Sequence, residues 1–215
     1  MELGCGGGGL WKRNFDRIPE KCQILLTDFT DGMLQDARQN LAGKGIFEFN
    51  KVDANDRPLP FGDASFDIVI GNHMVNYISD RQGLFSEIVR ILKPNGRFYT
   101  STIGQQHTVE IRELISEFDP VLGASWQNVS SPFILENGAG QLSLWFKDVS
   151  LRRYEDALEV MEVDPLVDYI LSIGLLNLSE DRQDKFKELI KRKMEGQGGV
   201  FHILKEGGIY EAVRV

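Results

Sequence analysis

Glu2-Leu3-Gly4-Cys5-Gly6-Gly7-Gly8-Gly9 places an acidic residue ahead of a turn dense in glycine. Backbone without side chains can approach a ligand more closely than any other chain segment, so this run reads as a nucleotide-type loop. The spacing Gly4-x-Gly6-x-x-Gly9 satisfies a dinucleotide fingerprint, and Asp28 stands close to the spacing at which an acidic residue grips a ribose. A carboxylate at the end of a second strand can accept from both the 2′- and 3′-hydroxyls; the competing reading is an ordinary loop or cap aspartate. Taken together, the loop and Asp28 point to an adenosine-containing ligand. Cys5 and Cys22 form neither a CxxC pair nor a His/Cys cluster, so no zinc site, other metal or disulfide is expected, and Cys5 reads as a small loop residue.

Residues of this kind need an alternating frame to position them. Leu10, Trp11, Phe15 and Ile18 suggest a short helix closing near Pro19, and Ile24-Leu25-Leu26 a buried strand ending at Thr27-Asp28. A helix capped by Thr30 or Asp31 carries Met33, Leu34, Ala37 and Leu41 on one face, with Gly43 and Gly45 ending it. Residues 47–52 alternate as a half-exposed strand before Asp53-Ala54, and Phe66–Ile70 reads as a central strand stopping at Gly71-Asn72. Asp80 caps the next helix, whose Leu84, Phe85, Ile88 and Leu92 face the sheet until Lys93-Pro94-Asn95-Gly96 breaks it; a strand then starts at Arg97. Beyond Gly104 the expectation is a helix over Val109–Phe118, an irregular stretch through Pro132, a helix near 140–146 and a strand at 149–154. Helices started by Asp164-Pro165 and Ser179 follow, then β-like runs at 200–205 and 209–215 parted by Gly207-Gly208.

Helices interleaved with short strands give an α/β, Rossmann-like fold. The expected sheet is open, mostly parallel and seven-stranded, with helices on both faces, an antiparallel C-terminal strand and a helical insertion between late strands. Residues 1–104 form the cofactor-binding core, 105–199 a substrate-side elaboration and lid with one core strand near 149–154, and 200–215 the terminal strand or strands. At 215 residues and 42% hydrophobic content the chain can bury a full core. With 24 basic against 32 acidic residues the net charge is −8, which disfavours a nonspecific grip on nucleic acid. Lys185, Lys187, Lys191, Arg192 and Lys193 are the one basic cluster, read as the solvated end of a helix. No apolar run approaches the ~20 residues needed to span a bilayer, and no signal segment is recognised; a soluble, cytoplasmic protein is expected.

Further motifs narrow the ligand. Glu2-Leu3-Gly4-Cys5-Gly6-Gly7-Gly8 fits an E/D-x-G-x-G-x-G loop, and Leu26-Thr27-Asp28-Phe29-Thr30-Asp31-Gly32-Met33-Leu34 a strand-end acidic motif. Val52-Asp53-Ala54, the Leu59-Pro60-Phe61 to Ser65-Phe66-Asp67 stretch and Leu92-Lys93-Pro94-x-Gly96 follow in the same register. Over residues 2–104 the chain resembles class I S-adenosylmethionine-dependent methyltransferases, closest to the small-molecule and ubiquinone/menaquinone-type group. The resemblance implies that Gly4, Gly6 and Gly8 let backbone approach the methionine part of S-adenosylmethionine, with Glu2 near its ammonium. It further implies that Asp28 binds the ribose, Phe29 packs on adenine, Asp53 accepts from the adenine amino group beside the Ala54 backbone, and Asn72 lies near the methionine end. Family members usually carry helical sequence ahead of this loop, so a short first strand of about 10 Å and an unusually open cofactor site are expected.

Methyl transfer from a sulfonium needs alignment and exclusion of water more than covalent chemistry. A general base helps where the acceptor is a hydroxyl, phenol or carbon acid, and His73, just past the fourth strand, is the candidate; a histidine that merely packs or bonds locally is the alternative. His107 reads as a surface residue and His202 as structural or solvated. Trp11, Tyr77 and Tyr99 are candidate walls of an aromatic pocket, with core packing as the competing reading. Arg152 and Arg153 read as a solvated pair. The expected function is methyl transfer to a small-molecule acceptor by a monomer or homodimer; the alternatives are an NAD-dependent oxidoreductase or a noncatalytic S-adenosylmethionine-binding protein.

Overall fold

The computed structural model describes residues 1–127, 132–174 and 176–215. Its strands are β1 Glu2–Leu3, β2 Ile24–Asp28, β3 Phe47–Lys51, β4 Phe66–Ile70, β5 Leu92–Ile103, β6 Phe146–Val160 and β7 Phe201–Arg214. They form one seven-stranded sheet in the order β3-β2-β1-β4-β5-β7-β6. β1 pairs in parallel with both β2 and β4, β2 with β3, and β4 with β5. β7 is antiparallel, completing the expected fold class. The chain winds outward in opposite directions from β1 and β4, and at such a reversal the carboxyl ends of the two strands border a crevice.

The helices between β1 and β5 follow from the apolar spacing. α1 Gly9–Asn14 continues into a 3₁₀ turn at Phe15–Arg17. α2 Asp31–Asn40 buries Leu34 and Ala37. Neither proposed cap acts there as expected: Thr30 occupies the cap position without a side-chain bond, and Asp31 is the first helical residue, paired with Lys51 at 2.5 Å. The Asp80 carboxylate does cap α3 Arg81–Ile91, accepting from the Gly83 N–H at 2.9 Å, and Leu84, Phe85, Ile88 and Ile91 are buried beneath it. Leu92 belongs to β5 rather than to this helix. The predicted break at residues 93–96 is a bulge inside β5: Phe66 pairs with Leu92 but Ile68 with Arg97, and Asn95 takes a left-handed φ of 59°.

The chain divides into two compact units. The first comprises residues 1–102, 133–152 and 208–215. Its core holds Phe85, Phe98, Phe133, Phe146 and Tyr210, with ring centroids 5.6–6.4 Å apart. The Tyr210 hydroxyl donates to the Leu135 carbonyl at 2.7 Å, so the one polar atom of this aromatic group is satisfied. α6 Gly138–Leu142 lies in this unit and ends before the expected 140–146 helix would.

The second unit comprises residues 103–132 and 153–207. α4 Val109–Phe118, α7 Val163–Ser172 and α8 Glu180–Gly196 pack Ile111, Ile115, Val167, Ile170, Phe186 and Ile190 together. The stretch before Pro132 was expected to be irregular but contains α5 Pro120–Gln127. Proline sits at its first position, and the Asp119 carboxylate accepts from the Val121 and Leu122 N–H groups at 2.9 and 3.2 Å. β6 is longer in both directions than the expected 149–154. β7 is a single strand that runs through Gly207-Gly208. Among the described residues, no helix is long and apolar enough to cross a membrane.

Candidate functional site

The glycine loop is held from beneath by β2. Cys5 N–H donates to the Thr27 carbonyl at 2.8 Å, and the Thr27 hydroxyl donates to the Glu2 carbonyl at 3.0 Å. Gly4, Gly6 and Gly8 all have left-handed φ, at 68°, 53° and 73°. Two of them serve different ends. A Cβ on Gly8 would meet Leu41 Cδ1 at 3.0 Å and Ala37 Cβ at 3.4 Å, so Gly8 lets the loop rest on α2. A Cβ on Gly6 would meet nothing within 4 Å, so Gly6 presents bare backbone to open space.

Asp28 unites the loop with the start of α2. It is 6% exposed; Oδ2 accepts from the Gly6 N–H at 3.0 Å and Oδ1 from the Thr30 N–H at 2.9 Å. The local bonding of Asp28 leaves room for its ligand reading, because each carboxylate oxygen has a second lone pair to offer a hydroxyl. Phe29, the next residue, is 66% exposed. An aromatic ring held in solvent beside such a carboxylate is a ready surface for a planar base.

Glu2 is 3% exposed. Its Oε2 accepts from the Trp11 indole N–H at 2.6 Å, and the Asn72 side chain, just past β4, also favours the ionised carboxyl. Burial pushes that carboxyl up to about 7, against the opposing pull of these two side chains. The folded value lies above the ordinary carboxyl value, so the fold takes up a proton between about pH 4.5 and 7, and stability falls as pH rises through that window. Glu2→Gln removes the penalty. In urea unfolding of the ligand-free protein the variant should match the wild type near pH 4.5 and exceed it by about 3 kcal/mol at pH 8.5; equal stabilities at both pH values would contradict this. Burial likewise pushes the neighbouring Cys5 thiol up to about 12, which keeps it protonated and inert.

The remaining candidates lie on adjoining strand ends. Asp53, after β3, is exposed, and its Oδ1 accepts from the Asn55 N–H at 2.8 Å; Ala54 beside it is buried. His73 follows Asn72 with φ 51°, an uncommon conformation for a non-glycine residue. Its N–H donates to the Ser101 carbonyl at 3.1 Å, and its side chain is exposed. The structure thus joins Glu2 to Trp11, and Gly6 to Asp28, by hydrogen bonds. Phe29, Asp53, Ala54 and His73 stand on neighbouring carboxyl ends of the same sheet.

Two site features escaped the sequence reading. Trp11, read as a pocket wall or core residue, is the donor to Glu2 and packs edge-to-face on Phe47 at 6.0 Å. The Ser101 hydroxyl is buried without a hydrogen-bond partner at the end of β5, where the hydroxyl run Thr100-Ser101-Thr102 was the available signal. Tyr77 is exposed and is not among the residues lining the groove that Trp11 borders. In the second unit, His107 is half-buried rather than on the surface; its Nδ1 bonds the Glu206 carbonyl at 3.0 Å, and burial pushes its pKa down. Arg153 pairs with Glu206 at 2.6 Å. The basic cluster is largely neutralised, with Lys185 on Asp181, Lys187 on Asp164 and Lys193 on Glu117.

A groove of about 1020 Å³ lies elsewhere on the first unit, lined by Leu10, Trp11, Ile18, Ile24, Phe66 and Ile68 among others. Ile24 and Phe66 open their strands while Ile70 closes β4, so the groove runs along the strands rather than sitting at the ends that carry Asp28 and Asn72. None of the glycine-loop residues, Asp28 or Asp53 lines it.

Residues 1–100 match the family described as methyltransferase domain. The chain is 30% identical over 228 aligned residues to the biotin biosynthesis bifunctional protein BioHC of Saccharophagus degradans, an alignment covering 100% of this chain and 39% of that protein. It is 35% identical over 98 residues to the ubiquinone/menaquinone biosynthesis C-methyltransferase UbiE of Shewanella piezotolerans, covering 45% of this chain and 39% of that one. The chain therefore spans about two fifths of the length of these curated relatives. Among solved structures, phosphoethanolamine N-methyltransferase 2 of Haemonchus contortus, in complex with S-adenosylhomocysteine, superposes with a TM-score of 0.56 at 20% identity. That superposition covers 99% of this chain and 48% of the other, and it speaks to the fold alone.

Proposed function

We propose that the chain transfers a methyl group from S-adenosylmethionine to a small-molecule acceptor by direct in-line displacement, a reading supported by the match of residues 1–100 to the methyltransferase-domain family. The observation that carries the proposal is Asp28: a buried carboxylate at a strand end, locked by the Gly6 and Thr30 N–H groups, with a lone pair left on each oxygen. The residues present fit the cofactor. Glu2 and Asn72 receive its ammonium, and a buried carboxyl poised near 7 ionises readily when a cation arrives. Gly6 offers bare backbone to the open space that the cofactor would occupy, while Gly4 and Gly8 hold the loop's shape. Asp28 accepts from the ribose hydroxyls, Phe29 packs on the adenine, Asp53 accepts from the adenine amino group, and the Ala54 backbone lies beside the ring.

When bound, S-adenosylmethionine supplies a methyl group already activated on a sulfonium. The chain's own task is then orientation and exclusion of water. His73 is proposed as the general base that takes the acceptor's proton; its backbone is anchored to Ser101 while its ring stays exposed. The names of the curated relatives come from small-molecule biosynthesis, which supports an acceptor of that size and a cytoplasmic setting. A net charge of −8 and the paired basic helix support the same choice over nucleic acid.

The test is transfer of isotopically labelled methyl from the cofactor to a panel of hydroxyl, phenol, carboxyl and carbon-acid acceptors. With the accepted substrate, His73→Gln should lower kcat by about 100-fold and leave cofactor affinity unchanged. No transfer to any acceptor, despite tight cofactor binding, would overturn catalysis in favour of a binding protein. An unchanged kcat in the variant would remove His73 from the mechanism.

A further inference from the structure

We infer that Trp11 is a positioning residue: its indole N–H fixes the Glu2 carboxyl against rotation, leaving the carboxyl's other lone pairs for the cofactor's ammonium. This rests on the reading of Glu2 given above. The geometry begins with a constraint. A carboxyl 3% exposed must find donors in the protein, and among the described residues the side chain that donates to Glu2 at hydrogen-bond distance is Trp11, with Asn72 acting on it in the same direction. The indole is donor-only, so its bond to Oε2 at 2.6 Å has one polarity and cannot be exchanged for another arrangement.

Trp11 is itself held. It sits on α1, which leaves the glycine loop and returns the indole to the residue that opens β1. Its ring packs on Phe47 of β3, and its apolar body forms part of the wall of the large groove. A rigid ring anchored on two sides is well suited to pin a flexible acidic side chain, whereas a Lys or Arg there would neutralise the charge that the ammonium needs.

The groups facing Glu2 are the Met1 ammonium just before β1, Asp28 of β2, the Cys5 thiol of the loop, and the neutral Trp11 and Asn72. The ammonium, the indole bond and Asn72 favour the ionised carboxyl; burial and Asp28 oppose it. Removing the indole donor therefore moves the ionisation upward, by about one pH unit for the loss of one such bond. Affinity for an ammonium-bearing ligand should follow the ionised fraction.

Calorimetry of wild type and Trp11→Phe between pH 6 and 8.5 tests this with two probes, S-adenosylhomocysteine and 5′-methylthioadenosine, the second of which lacks the ammonium. S-adenosylhomocysteine should bind the variant about fivefold more weakly at pH 7 and less than twofold more weakly at pH 8.5. Affinity for 5′-methylthioadenosine should be unchanged, and Trp11→Phe added to Glu2→Gln should cost no further affinity. Equal losses for both probes, with no shift in the pH profile, would make Trp11 a packing residue and overturn the inference. Trp11→Tyr, which also lacks the indole donor, is read the same way if Trp11→Phe does not fold. Failure of the wild type to bind either probe would instead overturn the cofactor reading itself.

Discussion

Asp28→Asn should weaken S-adenosylhomocysteine binding by on the order of 100-fold, although it changes neither size nor shape. The reason lies in the two backbone N–H groups that Asp28 accepts on different oxygens, from Gly6 at 3.0 Å and Thr30 at 2.9 Å. An asparagine has one acceptor oxygen and one donor nitrogen, so in either orientation its NH₂ faces an N–H. The variant must release the loop or the start of α2, and it also loses the negative charge offered to the ribose. Hydrogen bonds to a charged group contribute about 1.5–3 kcal/mol each, and losing the equivalent of one or two gives roughly the stated factor. A loss below fivefold, by calorimetry, would show that Asp28 does not organise the site.

Gly6→Ala and Gly8→Ala should fail in opposite ways. Both positions have positive φ, so either alanine carries about 1 kcal/mol of backbone strain. At Gly6 the added methyl meets no protein atom within 4 Å, so stability should fall by little more than that strain. Cofactor affinity should nevertheless fall by more than about 100-fold, because the methyl occupies the space through which backbone meets ligand. At Gly8 the methyl presses on Leu41 Cδ1 at 3.0 Å and lies against the Ala37 backbone at 3.5 Å. The fold should then lose about 2–3 kcal/mol, or roughly 6–10 °C in Tm. Thermal unfolding together with calorimetry separates the two. A Gly6→Ala protein that binds normally would refute the assignment of the open side of the loop.

Much of the cofactor half was legible because its signals are local. The glycine loop, Asp28, the central strand at Phe66–Ile70 and the Asp80 cap each rest on a few adjacent residues, and each is where the spacing places it. What escaped depends on neighbours distant in sequence. Pro94-Asn95-Gly96 reads as a chain break, yet pairing of Phe66 with Leu92 extends β5 back through it as a bulge. Gly207-Gly208 reads as a turn, but β7 passes straight on. There a Cβ on Gly207 would stand 2.7 Å from the Tyr154 ring and one on Gly208 2.9 Å from Leu135, so close packing rather than chain reversal requires glycine. α5 is a different kind of omission, because Asp119-Pro120 is the same start signal that identified the Asp164-Pro165 helix.

The same division holds in the site. Asp28 stands out in the sequence as a candidate ligand group by its spacing, whereas its lock on Gly6 joins residues 22 apart and needed the folded chain. The Trp11–Glu2 bond likewise forms only once α1 has turned back on β1, and no local pattern announces it. His73 is a candidate base by its position after β4, where its side chain is exposed.

The central claim is that the glycine loop, Glu2 and Asp28 form a site for S-adenosylmethionine. Calorimetry of the wild-type protein at pH 7.5 with S-adenosylhomocysteine and, separately, with NAD tests it most directly. The expected result is saturable one-to-one binding of S-adenosylhomocysteine and no heat of binding from NAD; binding of NAD with none of S-adenosylhomocysteine would contradict it.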